Sequence, residues 1–236
     1  MIFLAADTSG KDGSLALARG DGRSLEILEV VALEGGNFSA QLVPQIAGLL
    51  AKHGFSQRDI AGLAVATGPG SFTGLRVGLA AVKGLAEALE KPIASVSKLE
   101  VVARASGLQG GVIAALDAGR KQAFVGDYEI AGDAATCGKE HLLTWEELAA
   151  HAAGRVVATP DAVVADGVSG VGGKILLLEV PRADAVARIG FARFLAGDVA
   201  EVASLEANYI RRTDAEILVL QNAAKDSAKD AGLSRG

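Results

Sequence analysis

Gly68-Pro69-Gly70-Ser71-Phe72-Thr73-Gly74-Leu75-Arg76-Val77-Gly78 joins two different kinds of sequence. Before it, residues 61–66 form a short Ala/Val/Leu run that reads as a buried strand. After it, residues 72–90 carry apolar side chains at helical spacing and stop at Lys91-Pro92. A glycine-rich turn from strand to helix presents free backbone N–H groups at the positive end of the helix dipole, which favours an anion. The string lacks the Gly-Lys-Ser/Thr ending of a Walker loop.

The flanking segments extend this strand–helix pattern. Residues 2–6, 14–18 and 25–33 read as an antiparallel meander, with Lys11-Asp12-Gly13 supplying a hairpin turn. Residues 38–53 follow as a helix interrupted by Pro44, and residues 93–96 as another strand. In the second half, residues 111–116 and 123–130 read as strands around Asp117-Ala118-Gly119-Arg120. Thr144-Trp145-Glu146-Glu147 has the spacing of a capping box. Residues 162–165 and 208–210 read as short strands and residues 182–196 as a helix. Alternating strands and helices imply an α/β fold.

Composition narrows the function classes. Half of the 236 residues are hydrophobic, enough for a sizeable core, yet aromatics make up 4% and glycines number 30, so backbones pack closely. The net charge is −5 and no basic stripe marks a surface that grips nucleic acid unaided; Arg211-Arg212 reads as two solvated charges. Cys137 is alone, so no paired-Cys metal site or disulfide forms within the chain. The first residues lack the basic region of a signal peptide and no apolar run reaches membrane-spanning length, which leads to the expectation of a soluble, cytoplasmic protein.

Two loops could hold a phosphate: Asp7-Thr8-Ser9-Gly10 and the glycine string, with Asp7, Thr8, Ser9, Gly68, Gly70, Ser71 and Thr73 as the candidate contacts. Asp, Thr, Ser and Gly are also ordinary turn residues, and on these residues alone the plain turn is preferred for the first loop. The long helix carries a second message. Leu75, Leu79, Val82, Ala86 and Leu89 form one apolar stripe, and Val77, Ala81, Gly84 and Ala88 another. A helix on a single core needs one stripe, so two suggest burial on two sides. Leu42, Ile46, Leu49 and His53 line one face of the preceding helix.

The eleven-residue string with Leu79-Ala80-Ala81-Val82-Lys83-Gly84-Leu85-Ala86 resembles the signature of the bacterial TsaB (YeaZ) family. Asp7-Thr8-Ser9, Ser39-Ala40-Gln41-Leu42-Val43-Pro44, Asp117-Ala118-Gly119-Arg120-Lys121-Gln122-Ala123-Phe124 and Asn208-Tyr209-Ile210-Arg211 are similar to further family segments. The resemblance implies an actin-like ATPase and sugar-kinase fold, with two lobes of mixed sheet flanked by helices. On this basis residues 1–106 form the first lobe, 107–213 a degenerate second lobe and 214–236 a flexible or helical tail. It further implies a non-catalytic subunit for threonylcarbamoyladenosine formation on tRNA that dimerises with the catalytic relative TsaD. TsaE joins the complex, two copies pair when TsaD is absent, and tRNA is met only through the complex. No cofactor is held by the chain itself, though ATP or ADP is shared near the subunit boundary. The docking face is expected at Leu42, Ile46, Leu49, His53, Leu75, Leu79, Val82 and Ala86, with the two loops as vestigial phosphate sites.

The catalytic relative carries two histidines four residues apart after the strand that follows the long helix. The matching positions here are Lys98 and Val102, and His53, His141 and His151 are too far apart in sequence to rebuild the pair. The alternative is a stand-alone ATP-dependent phosphotransferase with Asp7 and Thr8 on magnesium and phosphate. Asp166-Gly167-Val168-Ser169-Gly170 lies roughly where such an enzyme places its second phosphate loop, but without a sure glycine pair it reads as a turn.

Overall fold

The computed structural model describes residues 1–169 and 173–210. The first sheet has the order β3-β2-β1-β4-β5, from β1 (Ile2–Asp7), β2 (Gly13–Gly20), β3 (Leu25–Leu33), β4 (Ile60–Gly68) and β5 (Ile93–Ser97). β1, β2 and β3 form the antiparallel meander, and β4 and β5 add in parallel through α1 (Phe38–Lys52) and α2 (Phe72–Leu89). Pro44 lies in the second turn of α1, where it removes one intrahelical bond without ending the helix.

β1 is buried on both faces, and its alternation sorts two cores. Leu4 and Ala6 join Leu15, Leu17, Leu63 and Val65 under α1 and α2. Phe3 and Ala5 join Ala16, Ala18, Ala64 and Ala66 on the other face, under α6 (Ala183–Ala196). Small side chains on that second face let α6 approach closely, and the Phe3, Phe191 and Phe194 rings fill the space that remains.

The second sheet has the order β10-β9-β6-β7-β8, from β6 (Gly110–Gly119), β7 (Gln122–Ala131), β8 (Ala134–Thr144), β9 (Val156–Thr159) and β10 (Lys174–Leu177). α4 (Trp145–His151) and α5 (Ala162–Gly167) cover one face; α3 (Lys98–Ala105) covers the other and joins the two lobes. The Thr144 box opens α4 as its spacing requires. Glu100 of α3 bonds Arg193 of α6 at 2.5 Å and Arg104 at 3.3 Å, fastening the lobes from behind.

Several expectations change. Residues 162–165 are helical rather than extended: Asp161 opens the turn, Val164 points into the core and Val163 is left outside. Residues 208–210 form no strand. α3, β8, β9 and β10 were not foreseen, and α6, although late in the chain, packs on the first sheet. The tail from 214 and Arg211-Arg212 lie outside the described residues. Among the described residues no helix is long and apolar enough to cross a membrane.

Candidate functional site

The lobes face each other across a cleft of about 1010 Å³. The first lobe contributes Asp7, Ser9, Lys11, Gly70 and Ser71; the second contributes Asp117, Arg120, Phe124 and Asp161. Lys98, Arg182, Asn208 and Tyr209 lie along the junction.

The two candidate loops meet at the floor of the cleft. Ser71 N donates to Ser9 O at 2.7 Å. Thr8 Oγ1 donates to Gly74 O at 2.8 Å and is buried, so its hydroxyl is committed to α2. Ser71 Oγ caps α2 by accepting from Gly74 N at 3.2 Å. Gly74 and Gly78 are required for this closeness: a Cβ on either would collide with Thr8.

Asp7 is the chemical centre of the floor. Its Oδ1 accepts from Ser9 N at 2.9 Å and Ser9 Oγ at 2.6 Å, and its Oδ2 receives Lys98 Nζ at 2.5 Å. Lys98 Nζ also donates to Pro181 O at 2.7 Å. Both side chains are about 7% exposed. Burial works to raise the Asp7 pKa, but the Lys98 charge and bond, together with the two Ser9 bonds, hold it below the ordinary carboxylate range. Across the cleft Asp161 accepts from Asp117 N at 2.7 Å, and burial pushes its carboxyl upward.

A magnesium ion with phosphate does not fit this floor. Lys98 is bonded to Asp7 Oδ2, Ser9 takes Oδ1, and the Thr8 hydroxyl already has its acceptor. Thr73 belongs to the first turn of α2 but does not line the cleft. Asp166 and Gly167 end α5, with Gly167 against the Trp145 ring, so these residues close a helix rather than form an open loop, and Gly170 lies outside the described residues; Pro160 and Asp161 line the cleft from that region.

A segment after α6 ties the cleft to the outer helices. Ala200 N donates to Ile93 O at 2.8 Å, and Lys83 Nζ of α2 donates to Leu205 O at 2.9 Å. Asn208 N reaches Thr67 O at 2.7 Å, while its side chain donates to Glu140 Oε2. Glu140 Oε1 accepts from Ser97 Oγ at 2.6 Å and from Tyr128 OH at 2.7 Å. One carboxylate thus joins the first lobe's β5, the second lobe's β7 and β8, and the returning segment. Burial, then the Glu140 charge, pushes the Tyr128 hydroxyl pKa upward. The Tyr209 ring packs at a tilt against Phe72, centroids 5.0 Å apart, and its hydroxyl accepts from Arg76 Nε at 3.1 Å.

The expected docking residues lie elsewhere. Leu42, Ile46, Leu49, Leu75, Leu79, Val82 and Ala86 are all buried in the first lobe's own core, because the sheet face beneath needs bulky side chains to fill it. His53 pairs with Glu29 of β3 at 2.8 Å. The surface that α1 and α2 turn outward is the other stripe: Ala40, Val43, Ala47, Gly48 and Ala51, beside Ala80, Gly84 and Ala88, with Val77 and Ala81 half-buried.

Sequence reasoning missed the roles of Lys98, Glu140 and Asn208. A signal for Lys98 was present: a lone cation in Val96-Ser97-Lys98-Leu99-Glu100-Val101-Val102, where a buried helix has no solvent for it. Asp117 and Arg120 flank a tight turn; Asp117 Oδ1 accepts from Gly119 N at 2.8 Å, and Arg120 and Lys121 both take positive φ.

Two mixed sheets flanked by helices and facing one cleft place the molecule in the actin-like ATPase and sugar-kinase fold class. The family model described as TsaD: tRNA N6-adenosine threonylcarbamoyltransferase matches residues 33–221. Over 130 residues the chain is 36% identical to the tRNA threonylcarbamoyladenosine biosynthesis protein TsaB of Bacillus subtilis, covering 55% of this chain and 56% of the relative. The Escherichia coli TsaB is 34% identical over 132 residues, 55% of each chain. A solved structure of YeaZ from Pseudomonas aeruginosa superposes with a TM-score of 0.74 at 26% identity, covering 88% of this chain and 99% of that one. The chain belongs to this tRNA N6-adenosine threonylcarbamoyltransferase family, on its TsaB (YeaZ) branch. The matched region spans about half the length of these curated relatives.

Proposed function

We propose that the chain is a non-catalytic subunit in forming N6-threonylcarbamoyladenosine on tRNA, and that it docks on TsaD through the outward face of α1 and α2. The observation that carries this reading is that face itself: exposed Ala40, Val43, Ala47 and Ala51 of α1 beside Ala80, Gly84 and Ala88 of α2, flanked by the polar Thr73, Arg76 and Glu87, with Val43 60% exposed. Contiguous exposed apolar surface marks an interaction site, and small side chains permit close helix packing. The committed Asp7 and Thr8 side chains speak against the phosphotransferase alternative. In this reading TsaE joins the assembly in the cytoplasm, tRNA is met through the complex, and ATP or ADP is shared near the subunit boundary. Without TsaD, two copies use the same face.

The test is chromatography with light scattering on the chain alone and mixed with its TsaD, with ATP hydrolysis assayed on the same fractions. A mixed complex and no turnover by the isolated chain are expected. Ala80→Glu should abolish the complex yet change stability by no more than about 0.5 kcal/mol, as for other surface positions. Unchanged binding by that variant would show that the face is misassigned. Brisk hydrolysis by the isolated chain would favour the phosphotransferase.

A further inference from the structure

We infer that Lys98 is the cleft's resident cation: its ammonium fills the place beside Asp7 that a divalent metal ion would take, so a latent oxygen-ligand cation site opens only when Lys98 is removed. The geometry is that of a held ion. Lys98 Nζ lies 2.5 Å from Asp7 Oδ2 and 2.7 Å from Pro181 O, two oxygens brought together from β1 and from the segment before α6. Ser9 fixes Asp7 through Oδ1 at 2.6 and 2.9 Å, leaving Oδ2 for the cation. Asp161 lines the same cleft as Asp7 and Lys98. Lys98 is the first residue of α3, where Ser97 Oγ accepts from Leu99 N at 3.2 Å, and its side chain runs inward to become buried.

Carboxylate and carbonyl oxygens are the ligands that calcium, magnesium and manganese take. An ammonium and a divalent ion cannot share one such place, because like charges at bonding distance in a dry site repel strongly. The cation that neutralises Asp7 is therefore supplied covalently, and the cleft floor keeps its shape whatever the metal supply. Truncating Lys98 to alanine would leave Asp7 buried and unpaired, a costly state that an incoming ion relieves. Nothing in this arrangement depends on a second chain.

The probe is Mn²⁺, followed by melting temperature and by the free-ion paramagnetic resonance signal. The wild-type melting temperature should be the same in EDTA and in millimolar Mn²⁺. Lys98→Ala should melt well below wild type in EDTA and recover by about 5 °C when Mn²⁺ reaches roughly 100 times its Kd. The recovery should vanish in Asp7→Asn/Lys98→Ala. Stabilisation of wild type by Mn²⁺ as large as that of Lys98→Ala would overturn the assignment, because the place would then be open. A folded Lys98→Ala protein that leaves all Mn²⁺ free would overturn it as well. So would Lys98→Ala that stays unfolded in both buffers while the neutral pair Asp7→Asn/Lys98→Met folds, since the fold would tolerate loss of the charges and still admit no ion.

Discussion

Gly78→Ala and Gly84→Ala make the same chemical change six residues apart on α2, and the structure assigns them opposite signs. Alanine is favoured over glycine inside a helix by about 1 kcal/mol. At Gly84 a Cβ meets nothing within 4 Å, so that preference acts alone and the chain gains up to about 1 kcal/mol. At Gly78 a Cβ runs into Thr8 Oγ1 and comes within 3.4 Å of Thr8 Cγ2. Thr8 cannot simply turn aside, because its hydroxyl holds Gly74 O at 2.8 Å and the residue is 1% exposed. Overpacking costs about 1–3 kcal/mol, and a buried hydroxyl stripped of its acceptor about 1–3 kcal/mol more. After the helix gain is deducted, the net loss is about 3 kcal/mol. Urea unfolding of wild type and both variants measures the difference, with the slope checked to confirm that only stability has moved. Equal stabilisation by the two substitutions would refute the claim that Thr8 is locked against α2, and the hydroxyl would again be free for a ligand.

Two further perturbations address the cleft. The lowered Asp7 pKa makes its folded form bind fewer protons than its unfolded form, so its contribution is complete above the ordinary value of 3.8 and is lost as pH falls through the folded value. The stability difference between wild type and Asp7→Asn/Lys98→Met, measured by denaturant from neutral pH downward, should therefore shift against wild type only in that acid window; a shift between pH 6 and 8 would implicate another group. Glu140→Ala removes the acceptor of Ser97, Tyr128 and Asn208 together and should cost about 1–3 kcal/mol. Hydrogen exchange should then quicken at Asn208 N and in the first turn of α3, and unchanged protection there would show that Glu140 does not hold the junction.

The strand–helix order of the first lobe could be read from sequence because each segment carries its own pattern. β1 to β3 are apolar runs cut by turns, and the glycine string separates β4 from α2. The second lobe resisted because its signals are short or mixed. β9 and β10 have four residues each, too few for periodicity. α3 has eight residues, six of them buried, including Lys98 and Glu100, so its charged positions give no guide to which face meets solvent. The two phosphate-loop candidates could each be picked out from their residues, but that they meet follows only from the parallel pairing of β1 with β4. The fate of their hydroxyls could not, because Thr8 and Ser71 are bonded to α2, and only the fold determines which side of the loop faces that helix.

The two stripes of α2 show where pattern reading stops and volume takes over. Periodicity establishes that the helix is apolar on two sides; it does not say which side meets the chain's own sheet. Leu4, Leu15, Leu17 and Leu63 form a broad surface that must be covered at full packing density. Leu75, Leu79 and Val82 can fill that space, whereas Ala80, Gly84 and Ala88 would leave cavities beneath the helix. The small stripe faces outward because exposing it costs little, and the same smallness allows another helix to come close. Leu79→Glu would therefore bury a charge inside the first lobe and abolish binding by unfolding it. Loss of a complex identifies the docking face only for a variant that stays folded, which makes Ala80, rather than Leu79, the informative position.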